Sequence, residues 1–189
     1  QRALELKDLD GVISWSSGTS LGAQVELAVD MLSRGLSRCV TLNSDFAWDT
    51  HSQNDSIQST NFNGLFEEVV NLMQLLDMTP GENGGSLAEE TIVVVLSEMG
   101  RTPQLNSSDG KDHWPYTSVL LVGSEFSGRV VGGFDSYYYG QLVDPKSGEA
   151  SEKGLDISAA SLGATLLEML GVEVGEHLTG TVTLPGVLI

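Results

Sequence analysis

The chain has 189 residues, 40% of them hydrophobic and 22 of them glycine, which suits one folded, loop-rich domain with a real core rather than a disordered chain. Its 26 acidic residues against 9 basic ones give a net charge of −17, which excludes a phosphate-backbone partner, since that needs a basic face. The same acidity fits a self-repelling soluble protein, one living at high salt, or one that holds cations. The single cysteine, Cys39, excludes an internal disulfide, and no apolar run reaches the roughly 18 residues of a membrane helix.

In chain order, "GVISWSSGTSLG" over 11–22 is rich in glycine and serine but follows no convincing strand; an anion site at a helix N-terminus is its functional reading. Residues 21–36 carry Leu21, Val25, Ala28, Val29 and Leu32 at helical spacing, with Ser20 placed to cap the start and Gly35 to end it. "SRCVTLNS", 37–44, reads as a short strand that buries Cys39 as an inert thiol. It closes in the loop "WDTHSQN". Residues 62–77 predict a second helix, with Phe62, Leu65, Phe66, Val69, Leu72, Met73 and Leu76 along one side.

"TPGENGGS" is a loop, and "TIVVVLSE", 91–98, is the β-branched run of a central parallel strand buried on both faces. A long polar loop over 101–115 leads to a further buried strand, "TSVLLVG". Residues 128–154 read as turns and a hairpin, in which Tyr137, Tyr138 and Tyr139 form either a half-buried edge or a surface that stacks on a sugar or ring. "DISAASLGATLLEMLG" is an amphipathic helix with Asp156 as its cap. The tail packs along the outside, and His177 within it is a surface residue. Helix–strand–helix–strand order predicts an α/β fold, a mostly parallel sheet flanked by helices, in a single domain spanning 1–189.

Three polar clusters lie beside three predicted strands: Asp49 with His51, then Ser97, Glu98 and Arg101, then Asp112 with His113. Ligands of open α/β sheets bind beyond the carboxyl ends of the strands, and the 101–115 loop is long enough to bring the third cluster to the same edge. Carboxylates and imidazoles together suit zinc, manganese or iron. Such an ion acts as a Lewis acid on a phosphoryl or sulfuryl oxygen, and Arg101 offers a bidentate donor to an oxyanion. Each cluster also has a plain structural reading. Asp49 suits an Asx-turn, His51 an exposed polar position, Glu98 and Arg101 an ion pair, and Asp112-His113 an ordinary turn. No G-x-S-x-G elbow or G-x-x-x-x-G-K-[ST] loop is present.

"WDTHSQN", "VVVLSEMGRTPQLN", "GKDHWP" and "VLLVG…GRVVGGFD" stand in the order and spacing of a bacterial family called domain of unknown function 1501, which the chain resembles over residues 20–175. That family is similar to a sulfatase-like branch of the alkaline phosphatase superfamily. The resemblance implies an α/β core, here incomplete, with a metal site at the strand ends. It assigns Asp49 and His51 to the acid–histidine pair of one metal, and His113 to the late histidine that completes its shell. Glu98 stands where the superfamily has an Asp-His pair, but Met99 follows it, and a thioether is a poor ligand for a hard divalent ion. The superfamily nucleophile belongs to an N-terminal half, so the chain is expected to be a C-terminal half. Ser16, Ser17 and Thr19 do not sit in a strand-to-helix elbow that would replace it.

The expected function is therefore metal-dependent hydrolysis of a small phosphate or sulfate ester, in a protein exported to the periplasm or beyond. Asp49, His51, Glu98, Asp112 and His113 are the candidate ligands of zinc or manganese, with Arg101 and Glu98 in catalytic roles. The alternative is a non-catalytic binding or cell-surface assembly module that keeps the fold without the nucleophile.

Overall fold

A computed structural model describes residues 20–188. They divide into two compact units. The first runs to Val93 and resumes over Gln104–Asp112; the second holds Val94–Pro103 and everything from His113 onward. Residues 11–19 of the serine- and glycine-rich stretch, with Ser16, Ser17 and Thr19, lie outside the described residues.

In the first unit, α1 (Leu21–Ser33) starts where Ser20 Oγ accepts the Ala23 N–H at 3.4 Å. It ends before Gly35, whose φ of +63° is the left-handed conformation glycine takes without a Cβ clash. The second helix, α2 (Asn54–Met78), begins well ahead of Phe62, where the apolar period starts. Its first turns carry polar residues toward the protein instead, and Asn54 and Asn61 are buried. The two helices and a 3₁₀ turn, Leu87–Glu90, enclose a core of Val25, Val29, Leu72, Leu76 and Leu87. Each fully buried aliphatic side chain here contributes about 1.5–3 kcal/mol by leaving water. Phe62 and Phe66, at the other end of the α2 stripe, remain about half exposed.

Residues 37–44 form no strand, and Cys39 is exposed rather than buried. The physical reason lies in Gln24. Its side-chain amide donates to Asn43 O at 2.9 Å, and its carbonyl accepts the Asn43 N–H at 3.0 Å, so one side chain satisfies the backbone that a neighbouring strand would otherwise pair.

The expected mostly parallel sheet flanked by helices is not what the described residues form. The described residues hold three α-helices and three two-stranded ladders. In the second unit, β1 (Val93–Val95) runs on from Val93 and pairs only with β4 (Leu120–Val122). Its three valines are half-buried and the next residue, Leu96, is exposed. An apolar β-branched run specifies a strand, not the number of its neighbours. The other ladders are antiparallel: β2 (Gly100–Arg101) with β3 (His113–Trp114), and β5 (Leu142–Val143) with β6 (Ala150–Ser151).

The late helix, α3 (Ala159–Met169), is capped by Ser158, whose Oγ accepts the Ser161 N–H at 3.2 Å, and not by Asp156. Thr165 Oγ1 donates to Ser161 O at 2.8 Å and accepts the Leu184 N–H at 2.7 Å, which ties the tail to the helix. Val187 is buried, so the tail contributes to the unit's core as well as to its surface. His177 is exposed, as expected. Among the described residues no helix is long and apolar enough to cross a membrane.

Candidate functional site

Asp49 and His51 lie on a segment that turns at every second residue. The Trp48 N–H donates to Phe46 O (3.0 Å), Thr50 to Trp48 O (3.0 Å) and His51 to Asp49 O (3.2 Å), the hydrogen-bond span of γ-turns. Residues two apart therefore share a side, and Thr50 is buried while Asp49 and His51 are exposed.

The polar face of α2 grips the inner side. Asn61 Nδ2 donates to Ala47 O at 2.9 Å. Gln58 Nε2 donates to Trp48 O and Thr50 Oγ1 at 2.9 and 3.0 Å, and the Thr50 hydroxyl donates to Asn54 Oδ1 at 2.8 Å. Three amides spaced at i, i+4 and i+7 along a helix thus hold the stretch through the carbonyls of Ala47 and Trp48 and the Thr50 hydroxyl.

A second loop closes on the outer side. Asn106 Oδ1 accepts the N–H groups of Ser108 (2.9 Å) and Gly110 (3.0 Å), and the Asn106 N–H donates to Gly110 O at 2.8 Å. This Asx-type turn docks through Asn54 N–H to Asp109 O (2.8 Å) and Lys111 N–H to Thr50 O (2.9 Å). Gly110 lies so close to His51 that a Cβ would overlap the His51 carbonyl. Asn106 Nδ2 donates to that same carbonyl at 3.1 Å and to Asp112 Oδ1 at 3.2 Å.

The result is an imidazole between two carboxylates. His51 Nε2 stands 3.0 Å from Asp49 Oδ1, and His51 Nδ1 stands 2.9 Å from Asp112 Oδ1. The His51, Asp49 and Asp112 side chains are 48%, 67% and 58% exposed, and exposed ion pairs contribute only about 0–1 kcal/mol. The backbone bonds to α2 and to the 106–110 turn, not the charges, fix this geometry. A neutral imidazole has one N–H and one lone pair. Both contacts are hydrogen bonds only when the ring is protonated. In the neutral tautomer with the proton on Nδ1, Asp112 accepts it, and Nε2 with Asp49 offers a lone pair and a carboxylate to a cation. That is the arrangement in which a carboxylate orients a metal-binding histidine, and the nitrogen and oxygen donors fit zinc or manganese.

In the second unit Arg101 and His113 are register partners across β2 and β3. Glu98 precedes them in the turn after β1. Its own backbone N–H, and then the Ser97 hydroxyl at 3.1 Å, hold its carboxyl below the usual carboxylate range, with the charges of Arg101 and His113 adding to the effect. The expected residues thus gather in two groups: Asp49, His51 and Asp112 in one unit, Glu98, Arg101 and His113 in the other. Sequence reading passes over the residues that build the first group, namely Asn54, Gln58, Asn61, Asn106 and Gly110. The Asp109-Gly110 dipeptide, a turn signal three residues after an asparagine, was the available clue.

No curated protein and no solved structure matches the chain. A family model described as protein of unknown function (DUF1501) matches residues 3–183, and by that match the chain belongs to the DUF1501 family.

Proposed function

We propose that this DUF1501 chain serves metal-dependent hydrolysis of a phosphate or sulfate ester, the chemistry of the sulfatase-like branch of the alkaline phosphatase superfamily. The observation that supports it best is His51, with Asp112 2.9 Å from Nδ1 and Asp49 3.0 Å from Nε2. A bound zinc or manganese would supply Lewis acidity toward an ester oxygen. Asp49 and His51 Nε2 are the proposed ligands. Asp112 fixes the tautomer by accepting the Nδ1–H, and Asn106 holds Asp112 in place at 3.2 Å. Arg101 is assigned to the anionic group of the ester, where a guanidinium makes paired hydrogen bonds. Glu98 stays ionised and balances that charge.

The test combines metal analysis with turnover. Protein purified without chelators is expected to carry about one zinc or manganese per chain and to hydrolyse 4-nitrophenyl phosphate or sulfate, with both properties lost in His51→Ala. A chain that takes up no metal on dialysis overturns the reading. Metal uptake without turnover on either ester would instead favour a non-catalytic binding module.

A further inference from the structure

The second unit carries an aromatic turn that the metal reading does not use. Asp135 Oδ1 accepts the N–H groups of Tyr137 (2.8 Å) and Tyr139 (3.0 Å), while the Asp135 N–H donates to Tyr139 O and its carbonyl accepts the Tyr138 N–H, both at 3.0 Å. Inside this closed turn Tyr138 adopts φ +63°, a conformation that is costly for a bulky side chain and that persists only when its surroundings impose it. Trp114 adds to the constraint by donating its indole N–H to Tyr138 O at 2.9 Å.

Of the three rings, Tyr139 is the one packed tightly, while Tyr138 lies 6.5 Å from Phe134. Tyr139 packs against Trp114 and Tyr116, with centroids 5.3 and 5.8 Å away. Tyr116 in turn lies on the backbone at Gly140, where a Cβ would come within 2.8 Å of its ring. Despite this bracing, Tyr137, Tyr138 and Tyr139 remain 73%, 55% and 47% exposed. Tyr138 and Tyr139 are half exposed on a turn closed by the antiparallel bridge Phe134–Gly140, the hairpin edge that the sequence suggests, and Tyr137 stands furthest out. Tyrosine supplies a large, rigid contact with a polar tip at low entropic cost. A braced turn that holds three of them out to water has the properties of a preformed binding surface.

Two observations narrow the ligand. The ring pairs are in direct contact, one tilted by 40° and one edge-on at 87°. Around Tyr139 they leave no cage between ring faces of the kind a quaternary ammonium ion needs. The net charge of −17 repels acidic polymers, whether nucleic acids or sulfated or uronic glycans. We infer that the Tyr137–Tyr139 turn, braced by Trp114 and Tyr116, is a stacking platform for a neutral polysaccharide, the sugar C–H faces lying on exposed rings and the hydroxyls meeting the phenol oxygens. This does not depend on the hydrolase reading.

Affinity electrophoresis of the whole chain tests it, in native gels containing starch, hydroxyethylcellulose, β-1,3-glucan or galactomannan. Retardation by at least one of these polymers is expected. Tyr137→Ala and Tyr138→Ala should each weaken it about tenfold, the loss that one well-stacked ring carries, and Tyr138→Phe should keep most of it. No retardation in any gel, or equal retardation of wild type and both alanine variants, overturns the proposal.

Discussion

Asp112 is the residue whose role geometry defines most sharply. It touches His51 Nδ1, not the nitrogen that faces Asp49. In Asp112→Asn a neutral amide replaces the carboxylate that orients the ring. Zinc affinity measured by competition with a chromophoric chelator is expected to fall about 10–100-fold, as on loss of other histidine-orienting carboxylates, with the thermal midpoint nearly unchanged. An unchanged affinity would remove Asp112 from the site. Gly110→Ala tests the support beneath it. The added methyl has no room against the His51 carbonyl, so the 106–110 turn must shift, at a cost of about 1–3 kcal/mol in urea unfolding. The two predictions also mark what the sequence makes legible. Acid and imidazole types at Asp49, His51 and Asp112 are visible as metal-ligand chemistry. The backbone bonds that bring Asp112 to His51 across 61 positions are not, because a main-chain donor has no residue-type signature. Only the asparagine and glycine of the turn betray them.

At the scale of elements, helices are legible, and so are the strands at Val93–Val95 and Leu120–Val122, but the pairing of strands is not. Apolar residues at a period of 3.6 suffice to place α1 and the core half of α2, because a helix satisfies its backbone internally. A strand depends on partners far along the chain. The valine run gains one neighbour instead of two, and within residues 37–44 the backbone of Asn43 is satisfied by the Gln24 side chain. Leu76 is fully buried on α2 between α1 and the 3₁₀ turn. Leu76→Ala should therefore cost about 2–5 kcal/mol in denaturant unfolding, whereas Phe62→Ala on the exposed half should cost far less. The loop between α2 and the 3₁₀ turn has its own signature. The Glu90 carboxylate accepts the Asn83 N–H at 2.7 Å and the Glu82 N–H at 3.1 Å, and the Asn83 bond leads in holding its pKa below the ordinary glutamate value. With a lowered folded pKa, this stabilisation is present above about pH 4.3 and is lost as pH falls through the folded value. Glu90→Gln should flatten the acid side of a stability–pH profile and leave its slope near neutrality alone.

Across the whole molecule the dominant fact is charge. With 26 acidic side chains and 9 basic ones, most carboxylates have no cation to pair with, and repulsion among them opposes compaction. Exposed charges interact over about 30 Å at 0.01 M salt but only about 8 Å at 0.15 M. Raising sodium chloride across that range should therefore raise the unfolding temperature, because the repulsive pairs that are screened far outnumber the attractive ones. Such screening also weakens exposed contacts such as Arg34 with Asp30 at 2.6 Å, but a helical pair of this kind contributes only about 0.3–0.5 kcal/mol. The measurement belongs in excess chelator, so that stabilisation by the divalent ion proposed for His51 does not add to the salt effect. Potassium and sodium should then act alike, since screening depends on ionic strength and not on ion size. A midpoint that stays flat or falls with salt would mean that the carboxylates are already neutralised in the folded chain. The cation-holding explanation of the acidic composition would then take precedence over self-repulsion.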